Sequence, residues 1–221
     1  MERRVLSLAS HPPRLETRVG SDYPYIVGLA SVFYQKDDPG TEYELWSYDD
    51  DRCVERVMPG AFDEILKATG YDCAALYNHD PNMLLGRMSA GTLTLEKTPA
   101  GLRYSIAPPN SPLSQGIVES VKRGDLTGSS FSFTVKGDGQ RWIRQGKLCV
   151  REIHAIDRLY DVGPVTFPAY SSTTTGTRGE GGTAEAKDAF ESWRKRIQQA
   201  QADARARCVQ LGLMSFDNQN R

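Results

Sequence analysis

The sequence predicts a mainly β protein with peripheral helices, its strand-rich core closer to a closed or partly closed barrel than to alternating strand–helix units. Three observations carry this reading. Short apolar runs recur along the first 170 residues, bounded by Gly, Pro, Asp or Asn, which is the punctuation of strands and turns. Helical spacing of apolar residues occurs there in two short stretches. Beyond them the composition changes to a flexible linker and then a longer amphipathic helix.

Residues 1–21 are polar and proline-punctuated and read as a loosely ordered arm or an edge strand. A domain over residues 22–170 follows, opening with a short apolar strand at 25–30. Asp37-Asp38-Pro39-Gly40 is a turn signal, residues 43–48 read as a second strand, and the acidic run Asp49-Asp50-Asp51 comes after it. Pro59-Gly60 introduces a short helix with Phe62, Ile65 and Leu66 at helical spacing and Gly70 as its stop. Residues 73–77 form a buried strand that delivers Asn78-His79-Asp80 to its end. A hairpin joins 93–95 to 102–106 around Thr98-Pro99-Ala100-Gly101. The second helix, over 112–122, sets Leu113, Ile117, Val118 and Val121 on one face and stops at Arg123-Gly124-Asp125. Strands at 129–135, 149–156 and 160–166 complete the domain.

Residues 171–183, rich in Ser, Thr and Gly, form the linker. In 184–221, Phe190, Trp193, Ile197, Ala200, Ala204, Cys208 and Leu211 recur every three or four residues, making an amphipathic helix with a basic face. It either docks on its own domain or offers a seam to a partner helix.

The net charge of −1 gives no reason to expect nucleic acid as a partner. No apolar run approaches the roughly 20 residues that span a bilayer, so no membrane partner is expected. Basic residues at Met1-Glu2-Arg3-Arg4 are not followed by the apolar stretch of a signal peptide, and the protein is expected in the cytoplasm. Cys53, Cys73, Cys149 and Cys208 share no short spacing, and His11, His79 and His154 lie far apart. Reduced thiols are expected, with neither metal nor cofactor.

Three short segments hold chemistry: Asn78-His79-Asp80, Gly128-Ser129-Ser130-Phe131-Ser132-Phe133 and Leu159-Tyr160-Asp161-Val162. A base, a hydroxyl nucleophile and an orienting carboxylate are the parts of a serine-hydrolase triad, which is recognised by roles and geometry, not by order. Alternation in a strand turns Phe131 and Phe133 into the core and sets Ser130 and Ser132 together on the opposite, outward face. Small hydroxyls held rigidly at an open groove suit a nucleophile; a merely solvated strand face is the bland alternative. Alternation leaves Ser130 and Ser132 equally open. His79, at a strand end, suits a proton acceptor. Asp161 sits in an apolar stretch where a carboxylate is costly to bury unless paired, and His79 would supply the pairing. Asp157 and His154 are competitors for this part.

Three segments in order carry a resemblance: Leu76-Tyr77-Asn78-His79-Asp80 with Leu85-Gly86-Arg87; residues 123–133, from Arg123-Gly124-Asp125 through Gly128-Ser129-Ser130-Phe131-Ser132-Phe133; and Asp161-Val162-Gly163-Pro164-Val165-Thr166-Phe167-Pro168-Ala169-Tyr170. With Pro59-Gly60-Ala61-Phe62 upstream, they resemble the tailed-phage prohead (capsid maturation) protease family, over roughly residues 22–172. The resemblance implies a serine endopeptidase related in fold to herpesvirus assemblins, a β-barrel surrounded by short helices. It aligns Ser130, not Ser132, with the nucleophile, His79 with the base and Asp161 with the third member. One departure is Gly163, where the family usually carries Ser.

The resemblance further implies the substrates: the capsid scaffolding segment or the N-terminal extension of the major capsid protein, with self-cleavage in the exposed linker. It implies action in the host cytoplasm inside the immature capsid, and it admits a homo-oligomer. Two other readings compete: a catalytically silent scaffolding or assembly protein that keeps the protease fold, and a small-molecule serine esterase. Intact His79, Ser130 and Asp161 oppose the first. The absence of a glycine after the serine, as a Gly-x-Ser-x-Gly elbow requires, opposes the second.

Overall fold

The computed structural model describes residues 1–7, 12–21, 23–48, 51–167 and 195. In chain order the elements begin with β1 (Glu2–Ser7), β2 (Arg14–Glu16), β3 (Tyr25–Val32), β4 (Tyr43–Tyr48) and β5 (Asp51–Val57). Then come α1 (Asp63–Lys67), β6 (Ala74–Leu76), β7 (Leu84–Arg87), β8 (Leu93–Lys97), β9 (Gly101–Ile106) and α2 (Pro112–Arg123). The last are β10 (Gly128–Val135), β11 (Gln140–Gln145), β12 (Leu148–Ile153) and β13 (Ile156–Val165). The expected linker at 171–183 lies outside the described residues, as does the helix of 184–221 but for Lys195.

The strands form three sheets, ordered β1-β10-β13-β6-β7, β11-β12-β5-β4 and β2-β3-β9-β8. The chain is mainly β, as expected, but the anticipated barrel is not found as a closed sheet: among the described residues each sheet runs from one edge strand to another. Two parallel pairings, β12 with β5 and β13 with β6, require long crossovers, and such crossovers interrupt the consecutive hairpins of an up-and-down barrel. Residues read as an arm or edge strand include β1 and β2, each at one end of its sheet.

Burial of aromatic side chains fixes β10 at the centre. Phe131 and Phe133 are wholly buried and stack with centroids 4.7 Å apart, while Phe62 meets Phe131 edge-on at 6.0 Å. Offset and edge contacts of this kind add about 0.5–1.5 kcal/mol each to the area they bury. Alternation thus places the phenylalanines in the core, as the sequence predicts.

The two helices follow their sequence signals with one correction. In α2, Ser111 caps the N-terminus by accepting from Ser114 N–H, Pro112 occupies the first turn, and Gly124 closes the helix at φ +81°. Ile117, Val118 and Val121 are buried, but Leu113 is 39% exposed, and the small Ser114 is buried instead. The first turn therefore meets the core one residue later than the apolar pattern indicates. In α1, Phe62 and Ile65 are buried beside the core.

The strand expected at 149–156 ends at Ile153 as β12, and the one expected at 160–166 begins at Ile156 as β13. Backbone N–H groups of His154 and Ala155 both donate to the Gly139 carbonyl, at 2.7 and 3.0 Å, and the chain turns around that oxygen from β12 into β13.

Candidate active site

Three adjacent strands of the first sheet deliver the candidate residues. β10 lies between β1 and β13, and β13 pairs in parallel with β6. Ser132 stands opposite Asp161, and Ser130 opposite Gly163. Cross-strand partners share a face, so alternation puts Ser130, Ser132 and Asp161 on one side of the sheet and the phenylalanines on the other. His79 reaches that side from the turn following β6.

That turn is held in an uncommon backbone conformation. Asn78 and His79 have φ of +54° and +58°, in the left-handed region that non-glycine residues seldom enter and that clusters at functional sites. Asn78 latches the turn to the end of β13. Its N–H donates to the Pro164 carbonyl at 3.2 Å, its Oδ1 accepts from Thr166 N–H at 2.8 Å, and its Nδ2 donates to Thr166 Oγ1 at 3.0 Å. Asp80 Oδ1 accepts from Asn82 N–H and closes the turn. These bonds make Asn78 and Asp80 the residues that shape the turn.

The imidazole bridges the other two groups. His79 Nε2 lies 2.5 Å from Ser130 Oγ, and His79 Nδ1 lies 2.5 Å from Asp161 Oδ1. Ser132 Oγ is 3.0 Å from the same Nδ1. A carboxylate accepts only, so Nδ1 carries the proton and donates to Asp161, with Ser132 Oγ as a second acceptor. Nε2 then presents its lone pair to Ser130. The asymmetry separates the two serines: Ser130 faces the basic nitrogen and Ser132 the protonated one.

The site is also more enclosed than alternation suggests. Ser130 and Ser132, expected on an open outward face, are both wholly buried, and the side chains of His79 and Asp161 are 9% and 8% exposed. β1 is part of the reason, because it pairs along β10 with Val5 opposite Ser130, and Ser130 Oγ donates to the Arg4 carbonyl at 2.8 Å. A serine hydroxyl has one proton, so Arg4 and His79 compete for it. Nothing in the polar segment around Arg4 signalled this contact; only the pairing of β1 exposes it.

The competitors named from sequence lie elsewhere. His154 is on the surface against Glu152 at 3.1 Å, and Asp157 accepts from Thr134 at 3.3 Å. Cys53, Cys73 and Cys149 are buried free thiols. Burial chiefly, with a share from the Asp161 charge, pushes the Cys73 thiol up to about 12, so it stays protonated beside the site. Among the described residues no cluster of His, Cys, Asp or Glu has the makings of a metal site, and no helix is long and apolar enough to cross a membrane.

A mainly β scaffold that sets a serine hydroxyl, an imidazole and a carboxylate in one hydrogen-bonded line has the arrangement of a serine hydrolase. The sequence profile of a family described as caudovirus prohead serine protease matches residues 16–187, and the chain belongs to that family. It is therefore a serine protease of phage capsid maturation, a class whose substrates are capsid proteins and whose place of action is the procapsid in the host cell. Neither a curated protein nor a solved structure matches the chain.

Proposed function

We propose that Ser130, His79 and Asp161 are the catalytic residues of an endopeptidase that cleaves the capsid scaffolding segment or the N-terminal extension of the major capsid protein. The observation that carries this reading is the His79 ring, held between Ser130 Oγ at one nitrogen and Asp161 Oδ1 at the other, 2.5 Å on each side.

In this mechanism Ser130 Oγ attacks the scissile carbonyl carbon while His79 Nε2 takes its proton. The imidazolium is stabilised by Asp161, which keeps its charge throughout. Collapse of the tetrahedral intermediate breaks the C–N bond, and Nε2 returns the proton to the leaving amine. Water then attacks the acyl carbon and gives a proton to the same nitrogen; collapse breaks the bond to Ser130 Oγ, which takes that proton back from Nε2. Ser132 holds the ring by accepting from Nδ1. The left-handed backbone at Asn78 and His79 aims the imidazole, and its cost of order 1–3 kcal/mol per residue is offset by the latch to Thr166 and Pro164.

Self-cleavage within the Ser-, Thr- and Gly-rich residues 171–183 belongs to the same proposal, as does tethering of the enzyme inside the shell by the segment 184–221, with its Lys and Arg residues. Co-expression with the cognate capsid protein is the test. Wild type should shorten the capsid protein and itself, and Ser130→Ala should leave both at full length. Unchanged processing by the alanine variant would remove Ser130 from the mechanism.

A further inference from the structure

The carbonyl that meets Ser130 Oγ belongs to Arg4, and the side chain of that residue enters a built pocket. Arg4 Nε donates to Glu55 Oε1 at 2.6 Å and its terminal nitrogen to Glu55 Oε2 at 2.8 Å, a bidentate fork on a carboxylate that is 0% exposed. The guanidinium stands 5.5 Å from the centroid of Phe133. Two residues earlier, Glu2 points the same way and pairs with Arg151, at 2.5 and 2.8 Å to its two oxygens. Glu55 and Arg151 come from the neighbouring strands β5 and β12 and bond each other at 2.8 Å.

A charged quartet of this kind is a poor device for stability, since burying the ions costs about as much as their attraction returns. Its geometric demand is high, however: a planar fork on one carboxylate and an opposite charge two residues away on the same strand face. Glu55 and Arg151 form a neutral pair by themselves, so the pocket does not need β1 in order to exist. Moreover, β1 is an edge strand joined to β10 by antiparallel pairing, the pairing by which extended peptides add to a sheet. In serine proteases, the side chain of the residue whose carbonyl faces the nucleophile is the one a specificity pocket reads.

We infer that Glu55 and Arg151 form the specificity subsite of this protease for a Glu-x-Arg segment, with the arginine immediately before the cleaved bond, and that β1 occupies this cleft as an internal pseudosubstrate. The inference rests on the catalytic reading of Ser130. Arg4 is held with its carbonyl oxygen 2.8 Å from Ser130 Oγ, where it competes with His79 for the serine proton, and β1 covers Ser130 until it leaves. A substrate strand carrying Glu-x-Arg takes the place of β1, and Glu55 holds its arginine while Ser130 attacks the arginine carbonyl carbon.

The test uses the full chain, a fluorophosphonate and two peptides, Ala-Glu-Arg-Arg-Val-Leu-Ser and its counterpart with alanine for the second arginine. Wild type should cleave the first after the second arginine. It should cleave the alanine peptide about ten- to hundredfold more slowly, as expected for loss of a charge-assisted bidentate contact. Glu55→Gln should erase that difference. Arg4→Ala should speed fluorophosphonate labelling of Ser130 by about tenfold if one anchoring contact of roughly 1.4 kcal/mol is lost. Should Arg4→Ala fail to fold, as judged by its melting curve, Arg4→Lys and the wild-type peptide comparison carry the test. Equal cleavage of both peptides, abolished by Ser130→Ala, would overturn the subsite and leave the protease intact. Cleavage that survives Ser130→Ala would overturn both.

Discussion

Gly163 packs so tightly against Leu76 that a β-carbon on residue 163 would collide with the Leu76 carbonyl oxygen. The contact joins β13, which bears Asp161, to β6, whose following turn bears His79, while on its other side Gly163 stands opposite Ser130 of β10. Gly163 is therefore a close-approach position in this chain, and it sets the spacing of β13, which carries Asp161, from β6, which leads into His79.

Gly163→Ala should accordingly part β13 from β6. Backbone against backbone leaves no flexible side chain to yield, so the cost is expected at or above the about 1–3 kcal/mol of an overpacked core. Each kcal/mol lowers Tm by roughly 2–4 °C in a chain of this size. Proteolysis should fall further than the stability loss explains, because His79 and Asp161 move apart. A variant that melts as wild type and cleaves as wild type would contradict the spacing argument.

The two serines should separate cleanly in mutation. Ser130→Ala removes the group at the basic nitrogen and should abolish both fluorophosphonate labelling and proteolysis. Ser132→Ala removes one acceptor from Nδ1, while Asp161 still holds that proton. Loss of a single neutral hydrogen bond is worth about 1 kcal/mol, or roughly fivefold in rate. Labelling in Ser132→Ala should persist at a reduced rate. If Ser132→Ala is silent and Ser130→Ala labels, the nucleophile is misassigned.

Much of this site was legible in the sequence, and the reasons are particular. Phe131 and Phe133 alternate with Ser130 and Ser132 because a strand has period two, so the shared face of the serines could be read directly. His79 was marked by its place at the end of an expected strand. Asp161 was marked by the apolar stretch that makes an unpaired carboxylate costly there. What alternation cannot give is the neighbour across the edge of a strand: Arg4 lies 126 positions from Ser130, in a segment too polar to read as core. The same ions hid β5. Glu55 is a buried charge in mid-strand, and a charge in mid-strand reads as surface until its partner is found. Closure into a barrel was inferred from strand content, and strand content does not specify which strands pair.

Asp161→Asn should keep the fold and lose the rate. An asparagine amide fits the space but donates where the carboxylate accepted, so the ring is driven toward the tautomer with its proton on Nε2, unable to take one from Ser130. Turnover of a peptide substrate is expected to drop by about two to four orders of magnitude, with KM little changed. A loss below tenfold would show that Asp161 is not the orienting group.

Glu2 gives the pH dependence of β1. Burial tends to raise its pKa, but hydrogen bonds and charge from Arg151, with those of Arg4, outweigh burial and hold the carboxyl below its ordinary value of 4.5. A carboxyl with a depressed folded pKa binds protons more weakly in the native state than in the unfolded chain. Its contribution is therefore present above the unfolded pKa of about 4.3 and is lost as the pH falls through the folded value. Melting curves taken from pH 7 to pH 3 should show wild type losing stability more steeply below about 4.3 than Glu2→Gln, whose side chain does not titrate. Above that pH the two curves should run parallel, with the variant lower because its amide cannot pair a charge with Arg151 and Arg4 as Glu2 does. Curves that stay parallel to pH 3 would mean that Glu2 is not held in the quartet, and β1 would then be anchored through Arg4 alone.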